Sequence, residues 1–86
     1  EDDVYDAIDV YPNPVQSKVT VSYDNFNEQD NYSILLSSLD GRVVFKSELE
    51  GAKHEINLQS LPQGVYVIQL VSQNETIFID KIIKSL

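Results

Sequence analysis

The sequence predicts an all-β fold, an immunoglobulin-like antiparallel β-sandwich of about seven strands, and three observations carry that prediction. Apolar residues recur at every second position through most of the 86 residues. The segments that show this period are short and are separated by Gly, Pro, Asn and Asp. Val, Ile, Leu and Tyr make up most of the hydrophobic 42% of the chain, a composition that suits pleated, half-buried strands. A small open barrel is the other arrangement that the same pattern allows.

The first strand is expected over Val4 to Tyr11, with Val4, Ile8 and Val10 on one side and Asp6 as a polar exception. Pro12 and Pro14 flank Asn13, preset φ near −65° and push the residues before them toward extended geometry, so the chain turns there and starts a new strand. Ser17 to Tyr23 is the clearest half-buried strand, with Val19, Val21 and Tyr23 inward and Lys18, Thr20 and Ser22 in water. Asp24 to Asn31 is a polar loop interrupted by Phe26. Tyr32 to Leu39 and Arg42 to Ser47 should pair as a hairpin, because Gly41 of Asp40-Gly41 supplies the positive φ that a tight turn needs.

Glu48 to Lys53 reads as a polar connection and Glu55 to Leu58 as a short strand, which Pro62 and Gly64 separate from the next. Val65 to Ser72 and Thr76 to Lys84, joined at Gln73-Asn74, are the most apolar segments and are therefore assigned to the centre of a sheet, with the edges left to the shorter, more polar strands. The Ile82-Ile83 pair after Ile77-Phe78-Ile79 favours strand over a final helical turn.

Fourteen acids against six bases give a formal charge of −8, and Glu1, Asp2, Asp3, Asp6 and Asp9 crowd the start. No basic stripe exists to neutralise phosphates, so nucleic acid is excluded as a partner, and anionic membrane surfaces are disfavoured for the same reason. Without cysteine the domain stands on packing alone, and at this length it buries roughly 60–65% of the surface of its unfolded chain. No apolar run approaches the ~18 residues of a membrane span, and the acidic start lacks the layout of a signal peptide. The chain reads as one domain over residues 1–86, with Glu1 to Asp9 as an acidic, flexible connection to something preceding it.

Chemistry is sparse. His54 is the single histidine, flanked by Lys53 and Glu55, and is expected to face solvent; a triad would need a nucleophile and an orienting acid to meet it. Asp24 to Asp30 is oxygen-rich, but it lacks the mid-loop glycine and the final bidentate glutamate of a calcium loop. No catalytic, cofactor-binding or metal-binding residue is assigned, no cofactor is expected, and the chain is not expected to be an enzyme.

Four motif pieces in a fixed order carry a resemblance. They are Val10-Tyr11-Pro12-Asn13-Pro14 before Lys18-Val19-Thr20-Val21, then Ser38-Leu39-Asp40-Gly41-Arg42-Val43-Val44, then Ile56-Asn57-Leu58 with Leu61-Pro62-Gln63-Gly64-Val65-Tyr66-Val67-Ile68, and last Lys81-Ile82-Ile83-Lys84. In this order they resemble the type A C-terminal sorting domains of the type IX secretion system of Bacteroidetes. The resemblance implies a signal that takes an attached cargo across the outer membrane to the cell surface or the medium after periplasmic transit. It also implies recognition by the outer-membrane translocon and, in many cargoes, removal by a sortase-like peptidase near the acidic start.

On the same resemblance Gly64, Tyr66, Lys81, Ile82, Ile83 and Lys84 are assigned to translocon recognition, and Pro12, Asn13, Pro14, Asp40 and Gly41 to defining the fold. The physical alternative for Lys81 and Lys84 is a charge-blunted strand edge. Exchange of the last strand would give a strand-swapped homodimer. Two other functions remain open at this point. A carbohydrate-binding or adhesive module would need an aromatic platform drawn from Tyr5, Tyr11, Tyr23, Tyr32 and Phe26. A structural spacer in a larger extracellular protein would need none.

Overall fold

A computed structural model describes residues 8–12 and 14–85 of the chain. Seven strands run in order: β1 (Ile8–Tyr11), β2 (Lys18–Tyr23), β3 (Tyr32–Ser38), β4 (Val43–Glu48), β5 (Lys53–Asn57), β6 (Gly64–Ser72) and β7 (Glu75–Lys84). They form a three-stranded sheet, β1-β2-β5, and a four-stranded sheet, β4-β3-β6-β7, with every strand pair antiparallel. Val4 to Ala7, expected to open the first strand, lie outside the described residues, while Ile8 and Asp9, expected to belong to a flexible connection, are already in β1.

Alternation builds the core. Val19, Val21 and Tyr23 of β2 point inward, as do Tyr32, Ile34 and Leu36 of β3, Tyr66, Ile68 and Leu70 of β6, and Phe78 and Ile82 of β7. Leu36, Val19 and Ile82 are 0% exposed, and the inner faces of the two sheets share one apolar cluster.

The β3–β4 hairpin closes where the Asp40-Gly41 pair places it. The Gly41 N–H donates to the Ser38 carbonyl at 2.9 Å, the Ser38 N–H donates to the Arg42 carbonyl at 2.9 Å, and Gly41 has φ of +91°. The Ser38 hydroxyl donates to Asp40 and, first among several causes, holds its carboxyl below the usual carboxylate range. Gln73 and Asn74 join β6 to β7 with φ of 53° and 66°, the left-handed pair of a two-residue hairpin turn.

The Asp24–Asn31 loop folds onto the sandwich through Phe26. Its ring lies 5.5 Å from Tyr32, which in turn meets Tyr23 edge-on at 5.4 Å. Burial, its largest cause, raises the Tyr32 phenol above its ordinary pKa, and the hydroxyl reaches Asp30 at 3.4 Å. The loop's own oxygens serve its turns: the Asn27 side chain accepts from the Gln29 N–H at 3.0 Å and its carbonyl accepts from the Asp30 N–H at 2.9 Å.

Two expectations are corrected. β7 is an edge strand, with β3 and β6 in the centre. Its apolar residues fall on both faces, but only the face carrying Phe78 and Ile82 is covered, while Ile79 and Ile83 stay exposed; an apolar run therefore did not mark a central strand. His54 is half-buried and not solvent-facing. β5 begins at Lys53, which places His54 beside inward-pointing Val21, and its Nε2 lies 3.4 Å from the Ser47 hydroxyl of β4 across the seam between the sheets.

The core assignment is checked by truncation. Leu36→Ala should cost about 2–5 kcal/mol in urea unfolding, as a cavity at a fully enclosed site does. The same change at Leu39, which is 70% exposed, should cost under about 0.5 kcal/mol.

Candidate functional site

The residues singled out in the last third of the chain converge on one end of the four-stranded sheet. In the β6–β7 ladder Gly64 lies opposite Lys84, Val65 opposite Ile83, Tyr66 opposite Ile82 and Val67 opposite Lys81. Since successive side chains leave opposite faces of a strand, these positions separate into two sets. Tyr66, Ile82 and Lys84 are buried, whereas Lys81 and Ile83 are exposed on the outward face.

The inward set holds the end of the sandwich together. The Tyr66 hydroxyl donates to the Pro62 carbonyl at 2.6 Å and so pins the Leu61-Pro62-Gln63-Gly64 connection to the strand that follows it. The Lys84 ammonium, on a side chain 7% exposed, donates to the Ser85 carbonyl at 3.2 Å. Gly64 has φ of +158°, close to extended backbone, and an added Cβ would meet nothing within 4 Å; Gly41, at +91°, is the stricter glycine position.

The proline-flanked turn reaches the same end. The Tyr11–Pro12 peptide is cis, Pro12 and Pro14 are exposed, and Asn13 lies outside the described residues. Directly after Pro14, Val15 is 0% exposed and forms a parallel bridge with Lys84. Its N–H donates to the Ile83 carbonyl at 2.8 Å, and its own carbonyl accepts from the Ser85 N–H at 2.8 Å. Pro12, Pro14, Gln16, Ser17, Lys18 and Ser85 border an open groove of about 440 Å³ beside this bridge. Asp40 and Gly41 lie at the same end, since Ser38, which precedes their turn, pairs with Tyr66.

Val15 and, apart from Ile83, the outward aliphatic residues were not singled out from the sequence. The signal for Val15 was a lone valine between a proline and a polar run. For the outward residues it was that β7 is apolar at both odd and even positions.

The rings that an aromatic binding platform would need are dispersed. Tyr23 and Tyr32 are in the core, Phe26 packs against it, and Tyr11, 43% exposed, lies on the outer face of the other sheet; Tyr5 lies outside the described residues. Ser47 and His54 form the nucleophile-and-base type of contact, but at 3.4 Å in the seam between two sheets, with no acid hydrogen-bonded to the ring among the described residues.

Two substitutions test the local geometry. Tyr66→Phe should lower stability by about 1 kcal/mol, the usual worth of a hydrogen bond, read as a lower Tm with unchanged secondary structure by circular dichroism. Gly41→Val should cost about 1–3 kcal/mol in urea unfolding, because a β-branched residue is forced into the left-handed region with nothing to relieve it.

Residues 9–85 match the family model for a secretion system C-terminal sorting domain. An ulvan lyase of Nonlabens ulvanivorans is 26% identical over 78 residues, which is 90% of this chain and 14% of that protein. The chain thus spans a small part of that relative's length. With the family match running from β1 to Ser85, and with the proline turn, the Asp-Gly hairpin and the Lys81–Lys84 segment gathered at one end of a sandwich, the chain belongs to the C-terminal sorting domains that act as type IX secretion signals.

Proposed function

We propose that this domain carries a protein attached ahead of Ile8 from the periplasm across the outer membrane, and that the outer-membrane translocon of the type IX system reads the end of the sandwich built by β6, β7 and Val15. The observation that carries the reading is the family match over residues 9–85, which spans every motif gathered at that end. The ulvan lyase suggests the kind of cargo such a domain accompanies.

Roles divide by burial. Tyr66, Ile82 and Lys84 act through the fold, with Gly64 setting the entry to β6, while Lys81 and Ile83 are presented to the translocon. Pro12, Pro14, Asp40 and Gly41 shape the turns that meet there. The domain itself performs no catalysis. A sortase-like peptidase acts on the acidic segment before β1. Exchange of β7 between two copies would have to open the two-residue Gln73–Asn74 turn.

The test is a periplasm-directed fluorescent reporter fused ahead of Glu1 in a type IX-competent bacterium. The intact fusion should reach the cell surface or the medium, and the reporter alone should stay in the periplasm. A fusion truncated after Asp80 should also be retained, because it lacks Ile82 and the partners of Val15. Equal distribution of the intact fusion and the bare reporter would overturn the proposal.

A further inference from the structure

The four-stranded sheet has a second face, turned away from the core, and its composition is unusual for this chain. Ladder register places Lys46, Leu35, Gln69 and Ile79 in one row across it, Val43, Ser37, Val67 and Lys81 in the next, and Val65 with Ile83 beyond. Val43, Ile79 and Ile83 are 53%, 45% and 43% exposed. The three-stranded sheet provides the comparison: its outward rows are Asp9, Ser22 and Lys53, then Tyr11, Thr20 and Glu55, then Lys18 and Asn57, with no aliphatic side chain among these described residues. Strand formation in this chain therefore does not require aliphatic residues on a solvent face, and a contiguous apolar patch is the mark of an interaction surface.

Charge narrows the occupant. On a chain of net charge −8, the register places two lysines, Lys46 and Lys81, on the apolar face, and the acids that border it are Glu48, which accepts from the Ser33 hydroxyl at 3.3 Å, and Asp80, which accepts from the Lys81 N–H. Stacking a second copy on this face would bring two such cationic faces together and two −8 domains into contact, so self-association is disfavoured. An anionic bilayer would repel the acidic remainder.

Strand addition along β7 is obstructed as well. Val15 occupies its edge at Ile83 and Ser85, and the Asp80 carboxylate accepts from the Lys81 N–H at 2.8 Å. At β7, recognition then passes through the face of the sheet and not along that edge.

We infer that the outward face of β4-β3-β6-β7, from Val43 across Val67 to Ile79 and Ile83, docks on a protein surface of the translocon that is itself aliphatic and bears carboxylates placed to meet Lys46 and Lys81. This rests on the sorting function proposed above and names the surface that performs it. Aliphatic contact supplies the affinity, and the two lysines, met by carboxylates placed locally opposite them, fix the orientation.

The test uses the purified domain and detergent-solubilised type IX outer-membrane translocon in a binding titration. Ile79→Ser combined with Ile83→Ser, and separately Lys46→Glu combined with Lys81→Glu, should each weaken binding by about tenfold or more. Tyr11→Ser and Glu55→Gln, on the opposite sheet, should leave binding within about twofold. Circular dichroism melting confirms that each variant is folded, and the lysine pair, at two exposed positions, keeps the test valid if the isoleucine pair unfolds.

Equal binding by folded face variants and wild type, or no binding by wild type, overturns the inference. Export of the wild-type reporter fusion reads the sorting function separately, so a domain that is exported but indifferent to its face variants removes the face and leaves the function standing.

Discussion

Two backbone hydrogen bonds, from the Val15 N–H to the Ile83 carbonyl and from the Ser85 N–H to the Val15 carbonyl, tie the connector between β1 and β2 to the end of β7. Much of this end of the sandwich depends on them. They join a connector of the three-stranded sheet to the far edge of the four-stranded one, bury Val15 and end the exposed edge of the last strand. They also fix register. A slip of one residue in β7 would turn Ile82 and Lys84 outward and Lys81 and Ile83 into the core. The division between side chains that hold the fold and side chains that face outward is therefore set by the backbone at Val15 as much as by the residues themselves.

The fold was legible wherever local chemistry decided it. Asp40-Gly41 closed the hairpin because a positive φ is a property of one residue, and Val19, Val21 and Tyr23 pointed inward because alternation is a property of one strand. What was not legible depended on neighbours. β7 carries more apolar residues than its burial requires, so its composition suggested a central strand although it lies at the edge. His54 sits between charged residues in sequence, yet pairing beside Val21 turns it toward the other sheet.

The candidate site divides in the same way. Gly64, Tyr66, Lys81, Ile82, Ile83 and Lys84 could be picked out as a set, and the β6–β7 ladder brings them together. Their separate duties could not be read, because period-two alternation gives adjacent residues opposite surroundings. Val15 is the plainest case. Nothing within the sequence near Pro14 says that a strand some seventy residues later will receive it, since that information lies in the topology alone.

That separation has a consequence in time. The Ser85 hydroxyl and the Val15 carbonyl are 70 positions apart and meet at 3.4 Å, near the greatest span that an 86-residue chain allows. Contacts of such long range form only after the entropy of closing a large loop has been met, which makes folding slow relative to local structure. A chain still held short of Ile82, in a ribosome or in a narrow pore, has no partner for Val15 and no Ile82 for its core. The sandwich therefore closes only once the end of β7 is free to meet Val15.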